Sequence, residues 1–106
     1  SGPPVEKGNL VKVHCTGTLE NGTKFWSTKD PDQEPYEFPI GEKKVIRGWD
    51  EGCLGMRLGE VAVITVPPEA AYGIQGFSAW GIPPNATLVF EMEILSIREG
   101  KLQQVY

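Results

Sequence analysis

The chain has 106 residues, 40% hydrophobic and 23% charged, enough for one modest core and too balanced for a disordered polymer. Ten Lys and Arg against fourteen Asp and Glu give a formal net charge of -4. The basic residues are scattered, which argues against a nucleic-acid groove, and no apolar run is long enough to cross a membrane.

The first eight residues are rich in Pro and Gly and are expected to be irregular. Ser1-Gly2-Pro3 has no initiator Met and no signal-peptide pattern, so it reads as a cloning scar or as the start of a piece of something longer. Residues 10–18 alternate: Val11, Val13 and Cys15 on one face, Lys12, His14 and Thr16 on the other. That pattern predicts a strand with one buried side. Asn21-Gly22 follows, a strong hairpin signal between two strand-like runs. The returning strand starts at Lys24-Phe25-Trp26-Ser27 and resumes at Tyr36-Glu37-Phe38-Pro39-Ile40. Between the two runs lies a polar segment with Pro31 and Pro35 that must leave the sheet as a loop. A strand broken in this way marks an edge or the rim of a site.

Val45-Ile46-Arg47-Gly48-Trp49-Asp50-Glu51-Gly52 is the one stretch that predicts a helix. Ile46, Trp49, Cys53 and Met56 recur at helical spacing and form its apolar face. Asp50 and Glu51 fall off that face and are expected in water. Gly48 and Gly52 each weaken the helix by roughly 1 kcal/mol relative to Ala, so burial of Trp49 must drive its formation. The two glycines also read as openings for close approach by another chain. Glu60 to Val66 predicts a strand with Ala62, Ile64 and Val66 on one face. Residues 67–85 hold four Pro and three Gly but also Tyr72, Ile74, Phe77, Trp80 and Ile82; a connection that long and apolar is usually functional. From Ala86 to Arg98 the alternation is strongest, with Leu88, Phe90, Met92 and Ile94 sharing a face. The tail from Glu99 has no pattern. One helix across one largely antiparallel sheet makes a two-layer α+β domain.

Acid–base, nucleophilic and metal chemistry are poorly supplied. His14 is the only His, and Cys15 points to the opposite face of its strand, so the two form no dyad. There is no clustered metal-ligand spacing and no phosphate-cradling Gly loop. Cys15 and Cys53 are too few for a disulfide framework and read as buried reduced thiols, consistent with a reducing compartment. What remains is aromatic. Trp26, Tyr36, Tyr72, Phe77 and Trp80 sit on or beside loops around a helix-borne Trp, a pattern suited to an apolar pocket with a few polar tips.

Five linked motifs carry a resemblance. They are Val13-His14-Cys15-Thr16-Gly17, Asn21-Gly22-Thr23-Lys24-Phe25, the stretch from Val45 to Gly52, Ala71-Tyr72-Gly73, and Ile82-Pro83-Pro84-Asn85-Ala86-Thr87-Leu88-Val89-Phe90. In this order and spacing, over about residues 7–97, the sequence resembles the FKBP-type peptidyl-prolyl cis-trans isomerases, immunophilins that bind tacrolimus and rapamycin. Cys15 and Phe25-Trp26-Ser27-Thr28 resemble small plant-type members most.

The resemblance implies a five-stranded antiparallel sheet wrapped around one short helix, with the isomerase domain over residues 1–98 and a tail over residues 99–106. It implies Trp49 as pocket floor, with Phe25, Tyr36, Val45, Ile46 and Phe90 as walls and Tyr72 and Ile82 at the rim. The Ile46 N–H and the Tyr72 hydroxyl would bind ligand carbonyls. Tyr72, Trp49, Phe25 and Phe90 are thus the expected catalytic set, and Cys15, Trp26, Tyr36, Val45, Ile46, Phe77 and Ile82 the expected ligand-binding set. No metal and no cofactor are implied. Proline-containing peptides or proteins are the implied partners, with a macrolide as a possible ligand, in a cytoplasmic monomer that touches neither nucleic acid nor membrane.

Three departures stand out. Trp26 replaces an acidic residue common in the family, Cys15 replaces a common Tyr and should enlarge that side of the pocket, and the loop from Gly73 to Gly81 is one residue longer. The family's first strand, ahead of Pro3 and Pro4, has no counterpart, so that edge strand is expected to be missing or replaced by residues 101–106 or by a partner. The alternative function is a non-catalytic peptide- or partner-binding module, as part of a larger chaperone-type protein.

Overall fold

The computed structural model describes residues 2–99. Its sheet has five antiparallel strands: β1 (Asn9–Leu19), β2 (Lys24–Ser27), β3 (Tyr36–Pro39), β4 (Val61–Val66) and β5 (Leu88–Glu99). β1 is the hub. It pairs along its length with β5, and on its other side with β3 near its start and β2 near its end. β2 and β3 are therefore one broken strand, as the Pro-containing interruption predicts, and the loop between them opens at the sheet edge. β4 pairs with β5 and with no other strand among the described residues. The tail expected to cover a vacant edge lies outside the described residues.

Alternation decides which residues enter the core. Val11, Val13 and Cys15 of β1 and Leu88, Phe90, Met92 and Ile94 of β5 are all buried on the same side. Among the described residues a single α-helix, α1 (Arg47–Gly52), lies against that side with Trp49 pointing in. It is shorter than the apolar periodicity implied. Cys53 and Met56 are buried but lie in the turn after the helix, where the Met56 carbonyl accepts the Val5 N–H at 2.7 Å. That turn fastens the irregular N-terminal segment to the core.

Two expectations about α1 are overturned. Asp50 is buried, because its carboxylate accepts two backbone N–H groups from the preceding turn. Gly48 and Gly52 do not open the helix to a ligand; they let it sit close on β4. A Cβ at Gly48 would lie 2.4 Å from Val66 Cγ1, and one at Gly52 2.9 Å from Ile64 Cδ1. No helix among the described residues is long and apolar enough to cross a membrane.

Candidate active site

A cavity of about 560 Å³ opens over Trp49 and is lined by Trp26, Tyr36, Lys43, Lys44, Val45, Ile46, Trp49, Tyr72, Trp80 and Phe90. Its floor is set by packing. The Trp49 ring meets Phe90 edge-on at 5.3 Å, Phe38 at 5.5 Å and Tyr36 at 5.9 Å. Aromatic pairs at such distances add about 0.5–1.5 kcal/mol each beyond area burial, so the floor is rigid. The Trp49 Nε1 is buried with no hydrogen-bond partner among the described residues.

One flank is a stack of three indoles. Trp26, on β2, stacks on Trp49 at 6.1 Å and on Trp80 at 5.6 Å, with interplanar angles of 29° and 15°. Its Nε1 donates to Gln33 Oε1 at 3.3 Å, which ties the stack to the loop between β2 and β3. Trp80 is brought there by a small hairpin. Phe77 and Ile82 exchange backbone hydrogen bonds of 2.8 and 3.1 Å around a 3-10 turn, Ser78–Trp80. Gly76 just before it has φ of 67°, and a Cβ would lie 2.5 Å from the Ile82 carbonyl oxygen, so that position requires glycine.

The opposite flank is the turn into α1. Ile46, at the N-cap, is extended, and its carbonyl accepts the Trp49 and Asp50 N–H groups at 3.0 and 3.2 Å. Its own N–H has no partner among the described residues. Asp50 Oδ1 accepts the Gly41 N–H at 2.9 Å and Oδ2 the Lys43 N–H at 3.0 Å. These bonds hold Lys43 at φ 61°, a left-handed conformation uncommon for a residue with a Cβ.

Tyr72 closes the rim. It follows the 3-10 turn Pro68–Ala70, and its carbonyl accepts the Gly76 N–H at 3.2 Å. Its hydroxyl makes no hydrogen bond among the described residues. Burial, with a smaller effect of neighbouring Tyr36, raises the phenol pKa above its ordinary value. The group thus remains a neutral donor throughout the physiological range.

Of the ten expected site residues besides Trp49, six line this cavity: Trp26, Tyr36, Val45, Ile46, Tyr72 and Phe90. The other four do not. Phe25 packs edge-on behind Phe90 at 5.9 Å. Phe77 stacks on Tyr72 at 5.3 Å and buttresses it. Ile82, at the base of the hairpin, is buried. Cys15 is buried in the core and is not on the wall, so its thiol does not shape that side of the cavity. Three lining residues were absent from the expected set: Trp80, Lys43 and Lys44. Trp80 was visible as an aromatic on an apolar loop; nothing in the pattern singles out the two lysines beyond their place just before Val45.

Comparison with known proteins identifies the family. The model of the FKBP-type peptidyl-prolyl cis-trans isomerases matches residues 2–95. The chain belongs to that family. This FKBP is 57% identical over 98 residues to the peptidyl-prolyl cis-trans isomerase FKBP12 of Vicia faba, an alignment covering 90% of this chain and 88% of the relative. It is 52% identical over 101 residues to the protein of the same name from Arabidopsis thaliana, covering 92% and 90%. FK506-binding protein 1 of Yarrowia lipolytica is 51% identical over 92 residues, covering 87% and 83%. The chain is accordingly a small FKBP of the plant type, and a peptidyl-prolyl cis-trans isomerase.

Proposed function

We propose that this FKBP turns X–Pro bonds in the cavity over Trp49. The prolyl ring rests on the indole, between Tyr36, Val45 and Phe90, and the Ile46 N–H and Tyr72 hydroxyl bind the flanking carbonyls. One observation supports this most directly: two polar donors unpaired among the described residues converge on a cavity whose lining, apart from Lys43 and Lys44, is aromatic and aliphatic. Phe25 and Phe77 act from behind the wall, holding Phe90 and Tyr72 in place.

The reaction requires no acid, base or nucleophile. The planar amide resists rotation with a barrier of roughly 18–20 kcal/mol, while the two X–Pro isomers differ by only about 0.5–1 kcal/mol. In the twisted transition state the amide loses its resonance and its C–N dipole weakens. A dry aromatic cavity therefore favours the twisted form over the planar one. Lowering the barrier by ~4 kcal/mol would accelerate rotation about a thousandfold.

The same cavity would accept a macrolide, a reading supported by relatives named FK506-binding proteins. Trp26 offers no carboxylate to such a ligand, and its stack with Trp80 walls off that flank, so tacrolimus would bind through the floor and the two donors alone. We also place the protein in the cytoplasm as a monomer that assists folding. The test is Tyr72→Phe in a proline-peptide isomerisation assay. Loss of one hydrogen bond, worth about 0.5–1.5 kcal/mol, should lower kcat/KM by roughly two- to tenfold with the fold intact. An unchanged kcat/KM would remove Tyr72 from the reaction.

A further inference from the structure

Lys43 and Lys44 are exposed, and among the described residues they are the only charged ones lining the cavity. The chain as a whole carries a net charge of -4, so the charged side chains that line the cavity are opposite in sign to the molecule, with Glu42 beside them in sequence and the Asp50 carboxylate under Lys43. Lys24 with Asp30, Arg47 with Glu51 and Arg98 with Glu37 form ion pairs in which neither the Lys43 nor the Lys44 ammonium takes part. The backbone of Lys43 is also held in place. Asp50 clamps the backbone of Lys43 from below, and two residues after Lys44 comes the free Ile46 N–H.

We propose that Lys43 and Lys44 select proline-containing peptides that carry a carboxylate within two residues of the prolyl ring. This rests on the isomerase reading of the cavity and names the substrate class for it. A carbonyl held at the Ile46 N–H leaves the next one or two residues of an extended peptide roughly 3.3–3.6 Å apart along the chain, within reach of a lysine side chain. The remaining walls are neutral and apolar, so they bind the ring without discriminating charge. The lysines supply the discrimination, in binding and in capture of the substrate. Exposed charge pairs are individually weak, so the selectivity is graded and not absolute.

The test uses acetylated, amidated pentapeptides with Leu-Pro or Xaa-Pro at the centre, Xaa or the residue after Pro being Glu, Gln or Lys. Isomerisation is followed by NMR exchange. The unaltered protein should process the Glu peptide with kcat/KM roughly three- to fivefold above the Gln peptide at one position or both. The Lys peptide should fall below Gln. That ratio should approach one at about 1 M salt, where the Debye length is about 3 Å. In the protein carrying Lys43→Gln and Lys44→Gln the Glu-to-Gln ratio should also approach one, and in Lys43→Glu with Lys44→Glu it should invert. Turnover of all peptides with equal kcat/KM by the unaltered protein overturns this proposal and leaves the isomerase reading standing. A ratio that survives both lysine replacements overturns it too. No turnover of any peptide overturns the isomerase reading, and the proposal with it.

Discussion

Asp50 Oδ2 accepts the Lys43 N–H at 3.0 Å from a residue only 8% exposed, while Oδ1 accepts the Gly41 N–H at 2.9 Å. One buried carboxylate thus organises the turn that forms a wall of the cavity. Asn in its place can offer only one acceptor and turns an N–H₂ toward the second donor. Asp50→Asn should lower stability by about 1–3 kcal/mol, the usual result of leaving a buried donor unmet. A urea titration reads this as a lower midpoint at unchanged slope. An unshifted midpoint would show that the turn is held by something else.

Gly48 sets two effects of opposite sign against each other. Alanine would raise helix propensity by about 1 kcal/mol. Its Cβ, however, would come within 2.4 Å of Val66 Cγ1, and Val66 is only 1% exposed, with no room to move aside. Overpacking of this kind costs about 1–3 kcal/mol. Gly48→Ala should therefore destabilise the domain, whereas a helix limited by propensity would be stabilised. The sign of the change in thermal midpoint decides it.

The sheet was readable because period-two alternation reports burial directly: β1 and β5 bury the residues that alternation assigned to the core. The hairpin at Asn21-Gly22 was equally plain, since the turn chemistry is local. The site was less so. Six wall residues follow from the family resemblance, but Phe25, Phe77, Ile82 and Cys15 sit behind or away from the wall, a distinction that depends on depth and not on sequence position. Asp50 was misread for a related reason. Helical periodicity locates a side chain around the axis, but it does not reveal that the turn of residues 41–43 folds over and covers it. Lys43 and Lys44 carry no pattern at all; only the path of that turn brings them to the cavity.

Burial raises the pKa of both thiols, that of Cys53 to about 12, with the neighbouring Asp50 charge adding a smaller push; for Cys15 desolvation again dominates, with Cys53 second. In the unfolded chain a thiol titrates near 8.5. Between these values the folded protein keeps protons that the unfolded chain releases, so stability is fully present below about pH 8.5 and falls as pH rises above it, by up to about 1.4 kcal/mol per unit for each thiol. Urea midpoints should be level from neutral pH to the onset of thiol ionisation and then decline. Replacing both Cys with Ala should lower stability at neutral pH and flatten the alkaline decline. A decline that persists unchanged would assign it to other groups. The native thiols should also resist alkylation at neutral pH until the protein unfolds.

Three indoles stacked in sequence differ in how deeply they sit, and that should order their contributions. Trp49 is 6% exposed and touches four other aromatic rings, so Trp49→Leu opens a cavity in the floor; large-to-small core changes of this kind cost about 2–5 kcal/mol. Trp80 is 43% exposed and among the described residues pairs with the rings of Trp26 and Phe77, so Trp80→Ala should cost nearer 1 kcal/mol, the worth of one or two surface ring pairs. Activity should not follow the same order as stability. Trp80 covers one flank of the cavity, and its loss should raise KM for hydrophobic peptides while leaving the floor and both donors in place. Circular dichroism provides the unfolding curves, since the variants differ in tryptophan fluorescence, and peptide isomerisation provides KM. A Trp80→Ala protein as unstable as Trp49→Leu would mean that the stack is part of the core and not a wall laid over it.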